Sequence, residues 1–222
     1  MSDPPPARSA AHDGIALGEA RANAPPGADV SMHERLRRAT AAHHRALDHG
    51  LRYVLGEELS LERYGRLLAA LYGFYVPLEA ALSPLQTGAA ALTVPLERRT
   101  ALIERDLRAL GTEPALVPLC NRPPRLASFD HLAGAFYVVE GACLGGQVIA
   151  QAVTRQLGLR REHGAAFFSG DGARTAGRWK AVLAWLEARE RATRAAPQIT
   201  EGACRTFHAL ARWLSARGVL DA

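Results

Sequence analysis

Lysine is almost absent from this sequence: Lys180 is the only one, and arginine supplies the other 26 of the 27 basic residues. Cysteine is also scarce. Cys120, Cys143 and Cys204 are odd in number and widely spaced, and no Cys-x2-Cys pair occurs, so the sequence predicts neither a disulfide framework nor a zinc site. No uninterrupted apolar run approaches the roughly 18 residues of a membrane span, so we expect no integral membrane protein.

The first 30 residues lack the apolar segment of a secretory signal. They are rich in alanine, proline, glycine and aspartate, which is typical of a disordered tail. We therefore expect a disordered tail over residues 1–30 and a cytoplasmic location. The remaining length suits one large hydrophobic core, so residues 31–222 are predicted to form a single domain.

Helical periodicity runs through the rest of the chain, and no segment shows convincing strand-like alternation. Ser31 and Glu34 form a capping box that opens a helix over about residues 32–55. Other start and stop signals predict helices after Ser60 to about 82, from Pro95 to before Gly111, after Ser128 to about 157, and over about 174–194 and 200–217. The four prolines of residues 111–124 indicate a loop. The predicted fold class is an all-α, single-domain helical bundle.

Three glycines, Gly141, Gly145 and Gly146, interrupt the helix predicted after Ser128. Each destabilises a helix interior by roughly 1 kcal/mol relative to alanine. Gly134, Gly141 and Gly145 nearly eclipse one another at 3.6 residues per turn, so they predict a groove without side chains along one face. A large flat group could lie in that groove, or a neighbouring helix could pack closely there.

A second pattern lies in the first predicted helix, where Arg37, His44 and Asp48 share one stripe. Histidine is a common neutral ligand of haem iron and other metals, a carboxylate one turn away can orient the ring, and a cation can bind an acid group. The apolar positions of this helix centre on the neighbouring His43. Periodicity alone therefore favours His43 as the buried histidine.

Three blocks of the chain resemble the haem oxygenase family. Leu36-x3-Thr40-x3-His44-x3-Asp48 is similar to the proximal helix of that family, and Gly141-x3-Gly145-Gly146-Gln147 is similar to its distal helix. The segment 164–170, followed by Trp179-Lys180, resembles the region after the distal helix. The run Tyr-Val-Val-Glu-Gly is most like bacterial members, especially those associated with bacteriophytochromes. The resemblance covers about residues 34–215.

The resemblance implies a haem-oxygenase-like bundle that cleaves haem to biliverdin, ferrous iron and carbon monoxide. Haem b would be both substrate and cofactor, O2 the oxidant, and a ferredoxin, flavodoxin or other reductase the source of electrons. It makes His44 the iron ligand, oriented by Asp48, and assigns the catalytic distal backbone to Gly141, Gly145 and Gly146. The residues that it implies in haem binding are Arg37, Thr40, His44, Asp48, Tyr137, Arg178 and Lys180.

One residue departs from the family pattern. Relatives carry aspartate or serine directly after the first distal glycine, whereas this chain has Ala142, which cannot donate or accept a proton through its side chain. A non-catalytic haem-binding or haem-storage protein on the same fold is therefore the alternative function.

Two further alternatives come from other classes. A helical interaction protein would use the glycine face to pack a partner helix only. A di-iron oxidase or a thiaminase-like hydrolase could share the scaffold, but no glutamate here has a histidine three positions later, and Cys143 lies opposite the glycine face.

The N-terminal 30 residues and the rest of the chain differ in net charge. After residue 30 there are 25 basic and 18 acidic residues, a net charge of +7. A basic surface can steer an acidic partner. No helix-turn-helix or zinc-finger pattern accompanies the arginines, so we expect no nucleic acid as a partner, and no membrane. The family resemblance implies an acidic electron-transfer protein as the partner, together with a bacteriophytochrome that receives biliverdin.

Overall fold

A computed structural model describes residues 30–56, 59–87 and 92–221. The predicted N-terminal tail lies outside these residues, apart from Val30. Seven α-helices occur in the described part of the chain, and no strand does; isolated bridges join Arg160 to His163 and Gly164. The predicted all-α class is therefore confirmed.

Helix α1 spans Met32–Gly50 and begins at the predicted cap, where the Ser31 hydroxyl accepts from the backbone N–H of Glu34. Its predicted end near Leu55 is wrong, because the chain turns into a short 3₁₀ helix over Arg52–Val54. The carbonyl of Gly50 accepts a hydrogen bond from the backbone N–H of Asp221, near the end of the chain. That long-range bond takes the place of a further helical turn.

Helix α2 spans Leu61–Leu82, is capped by the Ser60 hydroxyl, and runs through Pro77. Proline has no N–H, so the carbonyl four residues earlier, that of Gly73, loses its helical partner. The backbone N–H of Cys120 donates to this carbonyl at 2.9 Å. The proline-rich loop therefore compensates for the proline within the helix.

Helix α3 spans Arg99–Ala109, so the predicted start at Pro95 is wrong by four residues. Glu79 of α2 caps its first turn by accepting from the backbone N–H and the hydroxyl of Thr100, at 3.0 and 2.6 Å. The carbonyl of Pro95 instead accepts a hydrogen bond from the guanidinium of Arg178. The start of α3 is thus determined by side chains distant in sequence.

Helix α4 spans Phe129–Leu157, as predicted, from the Ser128 cap to Gly158, whose φ of 68° ends it in the left-handed region. Helix α5 is a single turn over Ala166–Ser169, which was not predicted. Its first two N–H groups donate to the buried carboxylate of Asp106, both at 2.8 Å.

Helices α6, Thr175–Thr193, and α7, Ala196–Ala216, complete the bundle. The predicted start of α7 near Thr200 is late by about one turn, because Pro197 is accommodated in the first turn. Close packing joins α7 to α4: a Cβ on Gly134 would overlap the carbonyl oxygen of Ile199, and one on Gly202 would overlap that of His131.

Two helical segments, Leu61–Gln86 and Phe129–Leu157, are long and apolar enough to cross a membrane by length and composition. About half of each apolar window is buried inside the bundle, 56% and 50%. Core helices of soluble proteins have the same properties. Both segments supply many of the fully buried side chains, including Phe74 and Phe136.

Candidate functional site

Two contacts, one from α1 and one from the segment just after it, mark the ends of a cleft against α4. At one end the Thr40 side chain counteracts the effect of burial, which raises the pKa of Tyr137, and the His33 ring lies 6.4 Å from the Tyr137 ring. At the other end Leu55, just after α1, lines a cavity of about 180 Å³ with Val148 and Ala152. Thr40 precedes Leu55 along the chain and Tyr137 precedes Ala152, so the two segments run in the same direction.

This arrangement places the predicted ligand opposite the glycines. His44 follows Thr40 by four residues and Gly141 follows Tyr137 by four residues, about one helical turn in each case. Residues four apart lie on the same helix face, so His44 shares the face on which Thr40 meets α4. His44 and Gly141 therefore lie on facing sides of the cleft.

His44 is held by a neighbour on its own helix. Its Nδ1 lies 2.7 Å from Oδ2 of Asp48, as the sequence predicted. The hydrogen bond from Asp48 raises the pKa of His44, against the opposing effect of burial. With Nδ1 bonded to the carboxylate, the neutral ring has its lone pair on Nε2, which is the form that can ligate iron.

His43 has a different environment. Its ring stacks on Phe207 of α7 with an interplanar angle of 9° and a centroid distance of 6.3 Å. His43 is half-buried, whereas His44 is exposed, so helical periodicity ranked their burial correctly. The His44 ring also lies near Phe207, tilted at a centroid distance of 6.1 Å, and has in addition the carboxylate of Asp48 at its Nδ1.

The glycines of α4 have distinct surroundings. A Cβ on Gly145 would meet nothing within 4 Å, whereas one on Gly146 would lie 2.9 Å from the carbonyl oxygen of Phe168. On Gly141 it would lie 3.4 Å from Cη2 of Trp179. The expected continuous groove from Gly134 through Gly145 is therefore wrong, because α7 covers Gly134. The open part lies around Gly145, and Trp179 borders it at Gly141.

Arg37 and Lys180 are exposed cations. Arg37 pairs with Glu34 at 3.0 Å, and this contact, together with Arg38, lowers the pKa of Glu34 to about 2. Lys180 follows Trp179 on α6, and no ion pair involves it among the residues that the structure describes.

Arg178, predicted to bind haem, lies in a buried ionic cluster instead. Its Nε and Nη2 donate to the two oxygens of Glu140 at 2.6 and 2.9 Å, and Nη2 also donates to the carbonyl of Pro95 at 2.6 Å. Arg99 lies 3.5 Å from Glu140 and 3.2 Å from Asp171. The guanidinium of Arg178 is thus engaged on the side of α4 away from the open glycine.

The sequence reasoning overlooked this cluster. Arg99 and Glu140 are almost completely buried, with 1% and 3% of their surfaces exposed. The available signal was Glu140 itself, a carboxylate within the apolar run that precedes Gly141. Buried charges in proteins are almost always paired, so its isolation in that run indicated a distant cationic partner.

The side chains after Gly141 offer little acid–base chemistry. Ala142 is exposed and has no polar group. Burial raises the pKa of the Cys143 thiol to about 11, which disfavours the nucleophilic thiolate. In the described ranges, no group of three or more His, Cys, Asp or Glu could hold a metal ion, so the di-iron alternative finds no ligand set there.

Comparison with known proteins is consistent with this arrangement. The family model described as "Heme oxygenase" matches residues 30–216. No curated protein matches the chain significantly by sequence. Three solved structures share the fold of this chain at low sequence identity, and each alignment spans almost the full length of the solved protein.

The NO- and CO-bound heme oxygenase of Neisseria meningitidis is 21% identical, with a TM-score of 0.73 over 87% of this chain and 95% of that one. The heme oxygenase of Leptospira interrogans is 20% identical, with a TM-score of 0.68 over 84% and 99%. Heme oxygenase-1 of the cyanobacterium Synechocystis, in complex with heme, is 15% identical, with a TM-score of 0.59 over 86% and 97%. Because the family model spans most of its length, this chain belongs to the haem oxygenase family.

Proposed function

We propose that this protein is a catalytically active haem oxygenase, which cleaves haem b to biliverdin, ferrous iron and carbon monoxide with O2 and external electrons. The observation that carries the proposal is the position of the His44–Asp48 pair across the cleft from Gly141 and Gly145. The relatives named above are described as haem oxygenases, and the Synechocystis structure is described as a complex with heme.

The residues present fit haem. A neutral histidine with its Nδ1 bonded to a carboxylate could hold haem iron through Nε2. On the facing helix, the space beside Gly145 is open where any other residue would place a Cβ. Haem, when bound, would supply the iron at which O2 is activated as well as the carbon that is oxidised.

The side chains of this chain would bind and orient the substrate. His44 would hold the iron through Nε2, and Asp48 would fix the ring orientation. Arg37 and Lys180, with Thr40 and Tyr137 between the helices, would direct the propionates and close one end of the cleft. Gly141, Gly145 and Gly146 would allow the α4 backbone to approach the face opposite His44.

Arg178 was expected to join the propionate-binding cations, but its bonds to Glu140 favour an indirect role. It would bind no propionate itself and would instead support the helix that carries Lys180. In this proposal, the direct charge contacts to the propionates therefore come from Arg37 and Lys180.

Ala142 favours one second candidate, a haem-binding or haem-storage protein without turnover. No side chain at this position can hold the water that delivers protons. In the active enzyme, the proton route would use backbone groups of the glycine segment and ordered water.

The proposed setting is that of a bacterial, bacteriophytochrome-associated enzyme in the cytoplasm. An acidic ferredoxin or flavodoxin would supply electrons to the basic domain. Biliverdin, the product, is a chromophore that a bacteriophytochrome could receive.

One experiment separates the two candidates. Hemin is added to the purified protein, the Soret band is recorded, and ascorbate is then added under air with biliverdin absorption as the readout. The enzyme is expected to bind hemin one to one and to form biliverdin, whereas a storage protein would give the Soret band alone. Absence of a Soret band would contradict both.

A further inference from the structure

Two ion pairs join α4 to α6, which run antiparallel. Asp130 and Arg189 pair at 2.7 Å near the start of α4, and Glu140 and Arg178 pair at 2.6 Å ten residues further along. The side chains of the first pair are 18% and 15% exposed, whereas that of Glu140 is 2% exposed. The two pairs have the same chemistry on the same helices but differ in burial and in what lies beside them.

Of the two pairs, Glu140–Arg178 has the larger desolvation cost, because it is the more deeply buried. Burial of charged groups carries a desolvation cost that only good geometry and several hydrogen bonds offset. Here Arg99, Asp171 and the partly exposed Glu97 complete a cluster of two cations and three anions. The pair Asp130–Arg189 already joins the two helices, so joining them does not by itself account for the buried pair Glu140–Arg178. The surroundings of the buried pair indicate a further role.

What lies beside Arg178 is Trp179. Its ring centroid is 5.3 Å from that of Tyr137 and 5.9 Å from that of His33, and the three rings form what we call the aromatic wall. The wall contacts the glycine segment, because a Cβ on Gly141 would lie 3.4 Å from Trp179. It therefore closes the cleft at the end where Thr40 meets Tyr137.

The wall lies close to the proposed iron ligand. His44 is four residues beyond Thr40, about 6 Å along the helix, whereas α1 continues for six residues, or about 9 Å, beyond His44 before it ends at Gly50. At this asymmetric spacing, one edge of a porphyrin held by His44 would lie near the wall, and the other edge would lie farther from it.

We propose that Trp179, held over Gly141 by the Glu140–Arg178 pair, determines the in-plane orientation of haem and hence which meso edge is cleaved. This inference rests on the proposed function. Trp179 is the residue that touches the substrate, and Glu140 is a positioning residue that acts through Arg178. Both oxygens of Glu140 accept hydrogen bonds from Arg178, the residue directly before Trp179, so its role is to position that part of α6.

The first test replaces the ring. Trp179→Ala and Trp179→Phe are compared with the wild type in two measurements: the haem-methyl NMR shifts of the ferric cyanide complex, which report in-plane orientation without turnover, and the biliverdin isomer ratio. Trp179→Ala is expected to convert one dominant orientation into a mixture and to change the isomer ratio at least severalfold. Trp179→Phe should change it less. An unaltered orientation in Trp179→Ala would overturn the proposal.

The second test separates positioning from general loosening. Glu140→Gln is expected to shift the orientation in the same direction as Trp179→Ala, whereas the matched control Asp130→Asn should keep the wild-type orientation. If Glu140→Gln does not fold, the double variant Glu140→Gln/Arg178→Gln removes both charges together and is measured instead. Equal shifts in the Glu140 variant and in Asp130→Asn, or no shift in the former, would exclude the positioning role.

The two measurements also keep this inference distinct from the proposed function. If the wild type binds hemin but forms no biliverdin, the proposed function fails, and the NMR comparison still decides the role of Trp179. If biliverdin forms with the same isomer ratio and the same haem orientation in every variant, the enzyme stands and only this inference fails.

Discussion

At the residue level, two adjacent histidines on one helix share an aromatic neighbour but differ in orientation and polar contacts. The His43 ring stacks on Phe207 of α7, while the His44 ring is tilted to Phe207 at a centroid distance of 6.1 Å and has Asp48 at its Nδ1. The 100° rotation per residue gives the two rings different orientations. His44 is the more exposed of the two and has an Nδ1 bonded to a carboxylate, whereas His43 lies flat against a neighbouring helix.

Substitution of the two histidines should have opposite effects on the haem spectrum. His44→Ala is expected to abolish the histidine-ligated Soret and visible bands, because it removes the ring whose Nδ1 is bonded to Asp48 and whose Nε2 is proposed to ligate the iron. His43→Ala should keep them, and hemin titration followed by absorption compares the two. Loss of the ligated spectrum in His43→Ala, with retention in His44→Ala, would contradict the assignment of His44 as the iron ligand.

Asp48 should control the pH dependence of hemin binding. Its hydrogen bond raises the pKa of His44, and the protonated ring cannot bind iron, so affinity should fall as the pH drops through that raised pKa. Asp48→Asn removes the anionic partner and should move this fall to lower pH. At high pH, where both proteins have a neutral His44, the variant should bind roughly tenfold more weakly because its ring is less well oriented.

The measurement is the dissociation constant from Soret titrations between about pH 5 and about pH 9, a range that brackets the usual histidine pKa. His43→Ala serves as the control, since its ring has no part in the bond to Asp48. An unchanged midpoint in Asp48→Asn would show that the carboxylate does not act on His44.

At the level of the element, α4 has several glycines for more than one reason. Gly134 and Gly146 allow close approach to α7 and to the segment before Gly170, whereas Gly145 faces open space. A glycine in a helix interior destabilises the helix by roughly 1 kcal/mol relative to alanine. Close packing explains the glycine at 134 and at 146, but no packing neighbour explains Gly145. A ligand in the cleft would explain it.

Two substitutions in α4 should therefore differ in their effects on stability and activity. Gly145→Leu adds a side chain in free space and gains roughly 0.5–1 kcal/mol of helix propensity, so the apo-protein should melt at or slightly above the wild-type temperature while biliverdin formation falls. Gly134→Ala should lower apo stability by about 1–3 kcal/mol or more, because its Cβ overlaps the Ile199 carbonyl.

Circular dichroism melts of the apo-proteins, together with the biliverdin assay, measure both effects. For a domain of this length, 1 kcal/mol corresponds to about 2–4 °C in melting temperature. A large stability loss in Gly145→Leu, or undiminished biliverdin formation, would exclude a haem cavity at that face.

For the whole molecule, charge is the property that affects encounter with other proteins. The chain after residue 30 has a net charge of +7, and most arginines outside the buried cluster are on the surface. Long-range attraction of this kind accelerates association with acidic partners and is weakened by salt.

Turnover with an acidic ferredoxin or flavodoxin should accordingly fall as salt rises from about 0.01 M to about 0.5 M, over which the Debye length shrinks from about 30 Å to a few ångström. Turnover with ascorbate should change much less, because a small donor needs no docking surface. Initial rates of biliverdin formation with the two donors compare these effects. Equal salt sensitivity would argue against electrostatic docking.

Features that depend on local interactions were predictable from the amino-acid sequence alone. The caps at Ser31, Ser60 and Ser128 are hydrogen bonds between near neighbours, and helical periodicity puts His44 and Asp48 on one face, so these features were predictable. The all-α class follows from the same periodicity, and the family resemblance followed from motifs with fixed spacing.

The neighbours that those helix faces meet depend on long-range packing. The early end of α1, the late start of α3 and the burial of Arg178 each depend on a partner far away in sequence: Asp221, Glu79 and Glu140. The sequence does not distinguish the glycines of α4 from one another. The structure does, because the backbone of another segment packs against some of them and not against others. Periodicity identifies the face of a helix, but the contacts of that face come from long-range packing, which no local pattern contains.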